Sequence, residues 1–510
     1  MLSPTVSSPT TPISRWPSSA ASETRAGQRR RAGVCRAVTR DAPRRPVHPY
    51  GGAVAAAFVK TLRDLLCDAA VIDDPRVVAA HASDASRTTP PAAAVLVRPR
   101  STDEVSAVLR AANDAGVPVV PQGARSGLVG AAAAIEGAVL LDLGALDRIV
   151  RIDPVDRIAV VQPGVVVADL QRAAAAVGLF YPPDPASADW ASIGGTIATN
   201  AGGMRCVKYG VTGDAVRSLE VVLADGEVVR TRAETVKGVA GLDLTSLFVG
   251  SEGTLGVITE ATLALRPAPG PSRGVSAVFR DAASAFAAAN AIASGSRLPS
   301  TLEFLDEVAL RGIRLVRPEL GIPERAQAWL LAVTDEAIGS ADDLDGFEAA
   351  FRAHGAEAVT RADDPEELDH LFAARRALSP ALVAVRGGAT HGDLAVPRSQ
   401  LPAIADAVVG LRARLGVEIS LAGHVGDGNL HPTVVFDPAD ADETARARAA
   451  ERELLVLAQR LGGTVAGEHG IGSVKLFAVD GEVPPRIREL QRAVKVVFDP
   501  RGILNPGRKL

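Results

Sequence analysis

The sequence predicts a mixed helix-and-strand fold of two domains, on three observations. A strand–helix–strand unit beginning at Ala94 runs straight into a glycine-rich loop, the order in which α/β domains are built. A Pro/Gly-rich break at Pro267–Pro271 interrupts the periodic pattern and reads as a domain boundary. Strand and helix patterns resume beyond it, and 510 residues with 47% apolar content are enough for two or three hydrophobic cores.

In chain order, Ala53–Cys67 carries apolar residues at helical spacing. Ala94–Val97 is a short buried strand. Ser101-Thr102-Asp103-Glu104 has the pattern of a capping box and opens a helix through Ala115. Pro118–Pro121 is the next strand, and Gln122–Leu128 the loop it enters. Strands follow at Ala138–Leu143, Ile149–Asp153 and Ile158–Gln162, then a helix at Val166–Ala176. Leu219–Leu223 and Val228–Arg232 flank an Asp225-Gly226 turn and read as a hairpin. After the break come a strand at Gly274–Phe279, a helix at Ala282–Ser294, a strand at Thr301–Leu305 and further helices. The last forty residues return to Gly/Pro-rich loops.

Bulk properties exclude several classes. A net charge of −4 leaves no basic surplus to neutralise phosphates, so nucleic acid is not an expected partner. Cys35, Cys67 and Cys206 are too few and too scattered for an iron–sulfur cluster or a disulfide framework. No charge-free apolar run reaches the roughly 18 residues of a membrane span. Residues 1–50 are rich in Ser, Thr, Pro and Arg, with Glu23 and Asp41 the only acids. Arg29-Arg30-Arg31 is not followed by the apolar core of a secretory signal. This stretch reads as a disordered tail, a loosely transit-like peptide or a start codon placed too early. The expected location is cytoplasmic, with peripheral membrane association as an extension of it.

Two segments stand out for chemistry: Gly423-His424-Val425-Gly426-Asp427-Gly428-Asn429-Leu430-His431 and Gly467-Glu468-His469-Gly470. They hold three of the eight histidines. His424, His431 and Glu468 make two imidazoles and a carboxylate, an open ligand set for a divalent metal such as zinc or manganese. His469 is the candidate general base. In extended chain it points away from its neighbour Glu468, which would separate proton transfer from metal binding.

Upstream, four glycine segments suit a large polyphosphate ligand: Gly123–Gly130; Asp184–Ser187 with Ser192–Thr196; Thr199–Gly203; and Gly250–Ile258. Glycine tolerates positive φ and lets amide N–H groups converge on an anion. None is the G-x-G-x-x-G dinucleotide fingerprint.

Together these motifs resemble type-4 FAD-linked oxidoreductases of the vanillyl-alcohol oxidase/p-cresol methylhydroxylase class. Within it they are similar to the D-2-hydroxyacid dehydrogenases, a group holding D-lactate dehydrogenase, D-2-hydroxyglutarate dehydrogenase and the glycolate oxidase catalytic subunit. The resemblance spans roughly residues 55–510. It implies an α+β fold, with a two-subdomain FAD-binding domain at 54–268. An α+β cap with an antiparallel sheet follows at 270–465, and a C-terminal segment, 466–510, returns to the FAD domain. It implies FAD contacts from Pro121, Gly123, Arg125, Ser126, Gly127, Leu128, Pro185, Ser187, Gly194, Gly195, Thr199, Asn200, Gly202, Gly203, Glu252, Gly253, Gly256, Val257, Ile258 and Asn505. No histidine lies between His81 and His354, so FAD held through a histidine of the pyrophosphate loop is excluded and noncovalent FAD is expected.

A 2-hydroxy acid also calls for a guanidinium. Arg375 and Arg376 are both available, and the family spacing from Phe372 selects Arg375. Asn429 either bonds substrate or takes a left-handed turn position. His391 falls where the hydroxyglutarate enzymes carry a lysine, which turns the expectation from a dicarboxylate towards D-lactate. The acceptor would be a quinone, a cytochrome or an electron-transfer flavoprotein, and the assembly a homodimer. Two other classes are compatible with the fold: a non-redox flavin-dependent ether-lipid-type synthase and a flavin-binding accessory subunit without catalysis.

Overall fold

The structure, a computed structural model, describes residues 52–86 and 88–510. The expectations for the first fifty residues, Cys35 among them, lie outside the described residues.

The N-terminal half holds two sheets. The first has four strands in the order Val71–Ile72, Val95–Val97, Val139–Asp142, Val119–Gln122; the last three are mutually parallel. The crossover helix is Thr102–Ala115. Ser101 Oγ accepts the Glu104 N–H at 3.2 Å, and Gly116 ends the helix at φ 71°. Its buried residues Val105, Val108, Leu109 and Ala112 follow the i, i+3, i+4, i+7 spacing of one helix face. The second sheet is antiparallel, ordered Ile149–Asp153, Ile158–Val161, Val257–Ala264, Val216–Val222, Val228–Arg230. The Asp225-Gly226 hairpin forms with Val222 opposite Val228.

An eight-stranded antiparallel sheet dominates the C-terminal half. Ala358–Ala362, Arg273–Phe279, Ala328–Thr334, Thr301–Asp306, Glu418–His424, Asn429–Phe436 and Gly388–Ala389 lie in that order, and Leu394–Ala395 also pairs with Asn429–Phe436. Thr301–Asp306 is buried along its whole length. Side chains alternate across a strand, so Leu302 and Phe304 pack into one core, with Ala285, Phe286 and Leu421. Leu305 enters the other, with Trp329, Leu331 and Leu378. Each such side chain stabilises the fold by about 1.5–3 kcal/mol. Glu303 falls in the same strand, entirely buried, opposite His424 in the ladder.

The chain end comes back to the first sheet. Leu504 bridges Val119, and Ile503 and Leu504 are fully packed in that sheet's core. Among the described residues no helix is long and apolar enough to cross a membrane.

Candidate active site

One cavity of about 950 Å³ is lined by residues from all four glycine segments and by the histidine cluster. Its size is at the upper end for small-molecule sites. Of the residues implied for FAD, Pro121, Gly123, Arg125, Ser126, Gly127, Leu128, Pro185, Ser187, Gly194, Gly195, Thr199, Gly202, Gly203, Glu252, Gly253, Gly256, Val257 and Ile258 are in its wall.

Some of these glycines take positive φ, as expected, and others serve close packing. Gly194 and Gly195 lie in the first turn of a helix, Ile193–Thr199, capped by Ser192. Their segments are glycine-rich because the segments touch. An ideal Cβ on Gly123 would lie 2.2 Å from Ser192 Oγ, and one on Gly194 2.5 Å from Pro163 Cβ. Positive φ in these segments is shared between glycines, Gly130 (74°), Gly250 (72°) and Gly253 (71°), and non-glycine residues, Arg125 (58°), Asn200 (54°) and Glu252 (54°).

Three of the residues implied for FAD are engaged within the protein itself. Asn200 lies outside the cavity wall; it ends the helix Ile193–Thr199, and its Oδ1 accepts the Gly213 N–H at 2.8 Å. Asn505 is buried outside the wall too. Its Nδ2 donates to the carbonyls of Ala131 (2.9 Å) and Glu252 (2.7 Å), so it ties two cavity loops together. Glu252 reaches the wall, but its carboxylate is turned the other way and accepts the N–H groups of Ile471 and Gly472, both at 2.7 Å.

At the cap side, Glu468 Oε1 is surrounded by three imidazoles. His431 Nε2 is 3.2 Å away, and the Nε2 atoms of His424 and His469 are each 3.5 Å away. Ligand atoms about 2.0–2.2 Å from a tetrahedral metal sit about 3.3–3.6 Å from one another, and the ligand atoms of His424, His431 and Glu468 all lie within 4.8 Å of one another, a set that could hold a divalent cation. His424 and His431 come from the two ends of the hairpin that joins Glu418–His424 to Asn429–Phe436. His424 Nδ1 contacts Glu303 Oε1 at 2.5 Å, which aims Nε2 at the cluster, as carboxylates behind metal-bound histidines do.

His469 and Glu468 do not point apart. The expectation assumed extended chain, but residues 467–469 curl around Asp393, whose carboxylate accepts the backbone N–H groups of Gly467, Glu468 and His469. Both side chains consequently face the cavity, and the His469 ring stacks on His431 with centroids 5.2 Å apart. Asn429 is corrected as well. It is neither left-handed nor in the cavity wall; Gly428 takes positive φ, and Asn429 Nδ2 donates to Asp393 Oδ1 (2.8 Å) and the Leu394 carbonyl (2.9 Å).

Arg375 and Arg376 both line the cavity; Arg375 donates from Nε to Glu303 Oε2 at 2.6 Å, whereas Arg376 is exposed and pairs with Asp369. Glu303 thus bridges Arg375 and His424. Burial opposes its charge, but the charges of His424 and Arg375 outweigh burial and hold its carboxyl below the usual range. The same balance holds Glu468 well below its usual range, through His424 and the bonds from all three imidazoles. Burial disfavours the charged form of His424, yet Glu303 and Glu468 raise it well above an ordinary histidine. Burial lowers His431. His469 is raised because Asp393 and Glu468 outweigh burial.

Glu303 and Asp393 were missed in the sequence. Glu303 is a lone acid inside the apolar run Thr301–Leu305, an available signal. Asp393 follows His391 and Gly392, and nothing local distinguishes it from a turn residue.

Comparison with known proteins identifies the FAD-linked character of both halves of the chain. Residues 93–232 match the "FAD binding domain" family model, and residues 269–508 match "FAD linked oxidases, C-terminal domain". The chain is 40% identical over 414 residues to the glycolate oxidase subunit GlcD of Bacillus subtilis (strain 168), covering 81% of this chain and 88% of that protein. It is 35% identical over 425 residues to a D-lactate dehydrogenase of Anaerostipes hadrus, covering 81% and 89%. The fold matches substrate-bound p-cresol methylhydroxylase with a TM-score of 0.74 at 20% identity, over 90% of this chain and 97% of that one.

Proposed function

The chain belongs to the FAD-linked oxidases of the 2-hydroxyacid dehydrogenase group, and from that premise we propose that it oxidises a D-2-hydroxy acid, D-lactate first, to the 2-oxo acid. Electrons would pass to a quinone, a cytochrome or an electron-transfer flavoprotein. The observation that carries the reading is the convergence of three imidazoles on Glu468, beside Arg375, in the cavity whose other walls are the glycine segments.

FAD, bound noncovalently among those segments, would supply the hydride acceptor. His424, His431 and Glu468 would hold a divalent cation, whose chemistry there would be Lewis acidity. The rest falls to the protein's own groups. Arg375, fixed through Nε by Glu303, pairs with the substrate carboxylate. His469 takes the hydroxyl proton at Nε2, the nitrogen that faces the cluster. Glu303 holds Arg375 and His424 in one frame.

The test is anaerobic addition of D-lactate, L-lactate, glycolate and D-2-hydroxyglutarate to the purified yellow protein. D-Lactate should bleach the flavin fastest and L-lactate should not. A flavin that none of the four reduces would sink the reading and favour a synthase or an accessory subunit.

A further inference from the structure

Asp393 is absent from the cavity wall, yet it organises the residues that form it. Its side chain is wholly buried. Its Oδ1 accepts from Asn429 Nδ2 (2.8 Å) and the Gly467 N–H (3.2 Å). Its Oδ2 accepts from the N–H groups of Glu468 (3.3 Å) and His469 (3.0 Å) and from Lys475 Nζ (3.2 Å). Five donors on one carboxylate exceed the roughly four lone-pair sites it offers, so every acceptor position is used. Lys475, itself only 3% exposed, completes its own bonding with the backbone carbonyls of Asp393 (2.7 Å) and Val465 (2.8 Å). This is a buried ion pair with its hydrogen bonds satisfied, the condition under which such a pair persists.

The placement of these donors matters more than their number. Three consecutive backbone N–H groups can reach one carboxylate only if the backbone wraps around it. In an extended segment alternate side chains face opposite ways; wrapped, Glu468 and His469 both face the cavity. The fourth donor, Asn429, stands two residues before His431 on the hairpin strand, and Leu394–Ala395, directly after Asp393, pairs with that same strand. One buried group therefore joins the hairpin that presents His424 and His431 to the loop that presents Glu468 and His469. His469 Nδ1 lies 4.0 Å from Asp393 Oδ2, with Nε2 left towards the cluster.

We propose that Asp393 is the positioning residue of the site: by holding the 467–469 backbone in a curl against Asn429, it brings Glu468 and His469 onto the same centre as His424 and His431. The proposal rests on the reading of that centre as a divalent cation site. It is independent of which acid is oxidised.

The test compares the FAD-bound wild type with Asp393→Asn. An amide of the same shape offers one acceptor oxygen, so the three N–H groups cannot all be kept. After chelation, Zn²⁺ binding is measured by equilibrium dialysis with elemental analysis. Flavin reduction is measured by stopped flow with whichever acid bleaches the wild type. Asp393→Asn should retain FAD, bind Zn²⁺ about 10–100-fold more weakly, and still reduce its flavin more slowly when Zn²⁺ is saturating, because His469 is no longer aimed. A merely structural role would lower the folded fraction without changing Zn²⁺ affinity per FAD-bound molecule.

Wild-type Zn²⁺ affinity and wild-type reduction rate in Asp393→Asn would overturn the proposal. If that variant fails to fold because Lys475 is left uncompensated, Asp393→Asn with Lys475→Met removes both charges and should fold with the same weakened affinity. Unchanged affinity there overturns the proposal. Failure of both variants to hold FAD overturns it too, because Asp393 would then be a determinant of the fold. If the wild type itself takes up no Zn²⁺, the cation reading has failed separately, and the rate of flavin reduction in Asp393→Asn alone decides.

Discussion

The neighbours Glu468 and His469 are the sharpest place to divide the chemistry. Both reach the cluster, and what separates them is what each can give up. Glu468→Gln should lose metal and regain part of its activity at high metal concentration. His469→Ala should keep metal and FAD but reduce its flavin about 10²–10⁴-fold more slowly, as removal of a general base typically costs. Stopped flow with metal analysis checks both; a fast His469→Ala beside a slow, metal-replete Glu468→Gln reverses the roles. A second residue-scale prediction concerns Asp184 in the cavity wall. Burial pushes its carboxyl up to about 7, against the pull of Arg205. A carboxyl raised in the folded state contributes stability below its unfolded value near 4, and that contribution is lost as pH rises through about 7. Asp184→Asn should therefore gain on the wild type between pH ~4 and ~7 and hold a constant lead above. The lead should be about 2 kcal/mol, lower than full burial implies because 14% of the side chain reaches water. Melting curves across pH check it, and a lead that shrinks as pH rises refutes it.

At the scale of elements, the site is made where loops from distant parts of the chain press on one another. Gly202, in a segment implied for the cofactor, backs directly onto the histidine–Glu468 cluster: an ideal Cβ there would lie 2.6 Å from Glu468 Oε2 and 3.1 Å from Glu468 Cβ. Gly202→Ala should displace the Glu468 side chain. Zn²⁺ affinity should fall roughly tenfold, as for other changes that reorient a ligand, while the FAD content stays unchanged. Dialysis and the visible spectrum read the two separately; loss of FAD with full Zn²⁺ binding would show that the methyl group moves the other loop. Glu252 makes the complementary contact, its carboxylate clasping the N–H groups of Ile471 and Gly472, two and three residues beyond His469. The glycine segments and the loop that carries Glu468 and His469 are thus braced against each other at two points.

Across the whole molecule, the cavity is completed by the two halves together. Wall residues come from the glycine segments before residue 260 and from the cap sheet and its helix Pro365–Arg386. Lys208 and Tyr209, just past Gly203, both bond Asp335 on the cap, Tyr209 at 2.5 Å and Lys208 through a partly buried ion pair. No histidine is present anywhere from residue 82 to residue 353, and none of the glycine-segment residues in the wall is a histidine. FAD should therefore be released by acid or heat, with the yellow colour passing through a filter that retains the precipitated protein. Colour that stays with the precipitate would refute noncovalent binding.

What the sequence determined by itself was local. Helix caps, strand alternation and the Asp-Gly turn depend on residues within about four positions of one another. So Ser101, the Ile149–Asp153 strand and the Val222–Val228 hairpin were all readable, as were the grouped histidines. The tertiary structure alone decided which distant groups meet. Glu303 lies 121 residues from His424 and 72 from Arg375, and only the ladder register and the packing of the Pro365–Arg386 helix bring the three together. Asp393 reaches His469 across 76 residues. The direction in which His469 points was unreadable for the same reason. The 467–469 backbone takes its shape from a buried carboxylate elsewhere in the chain, and side-chain direction follows from backbone shape.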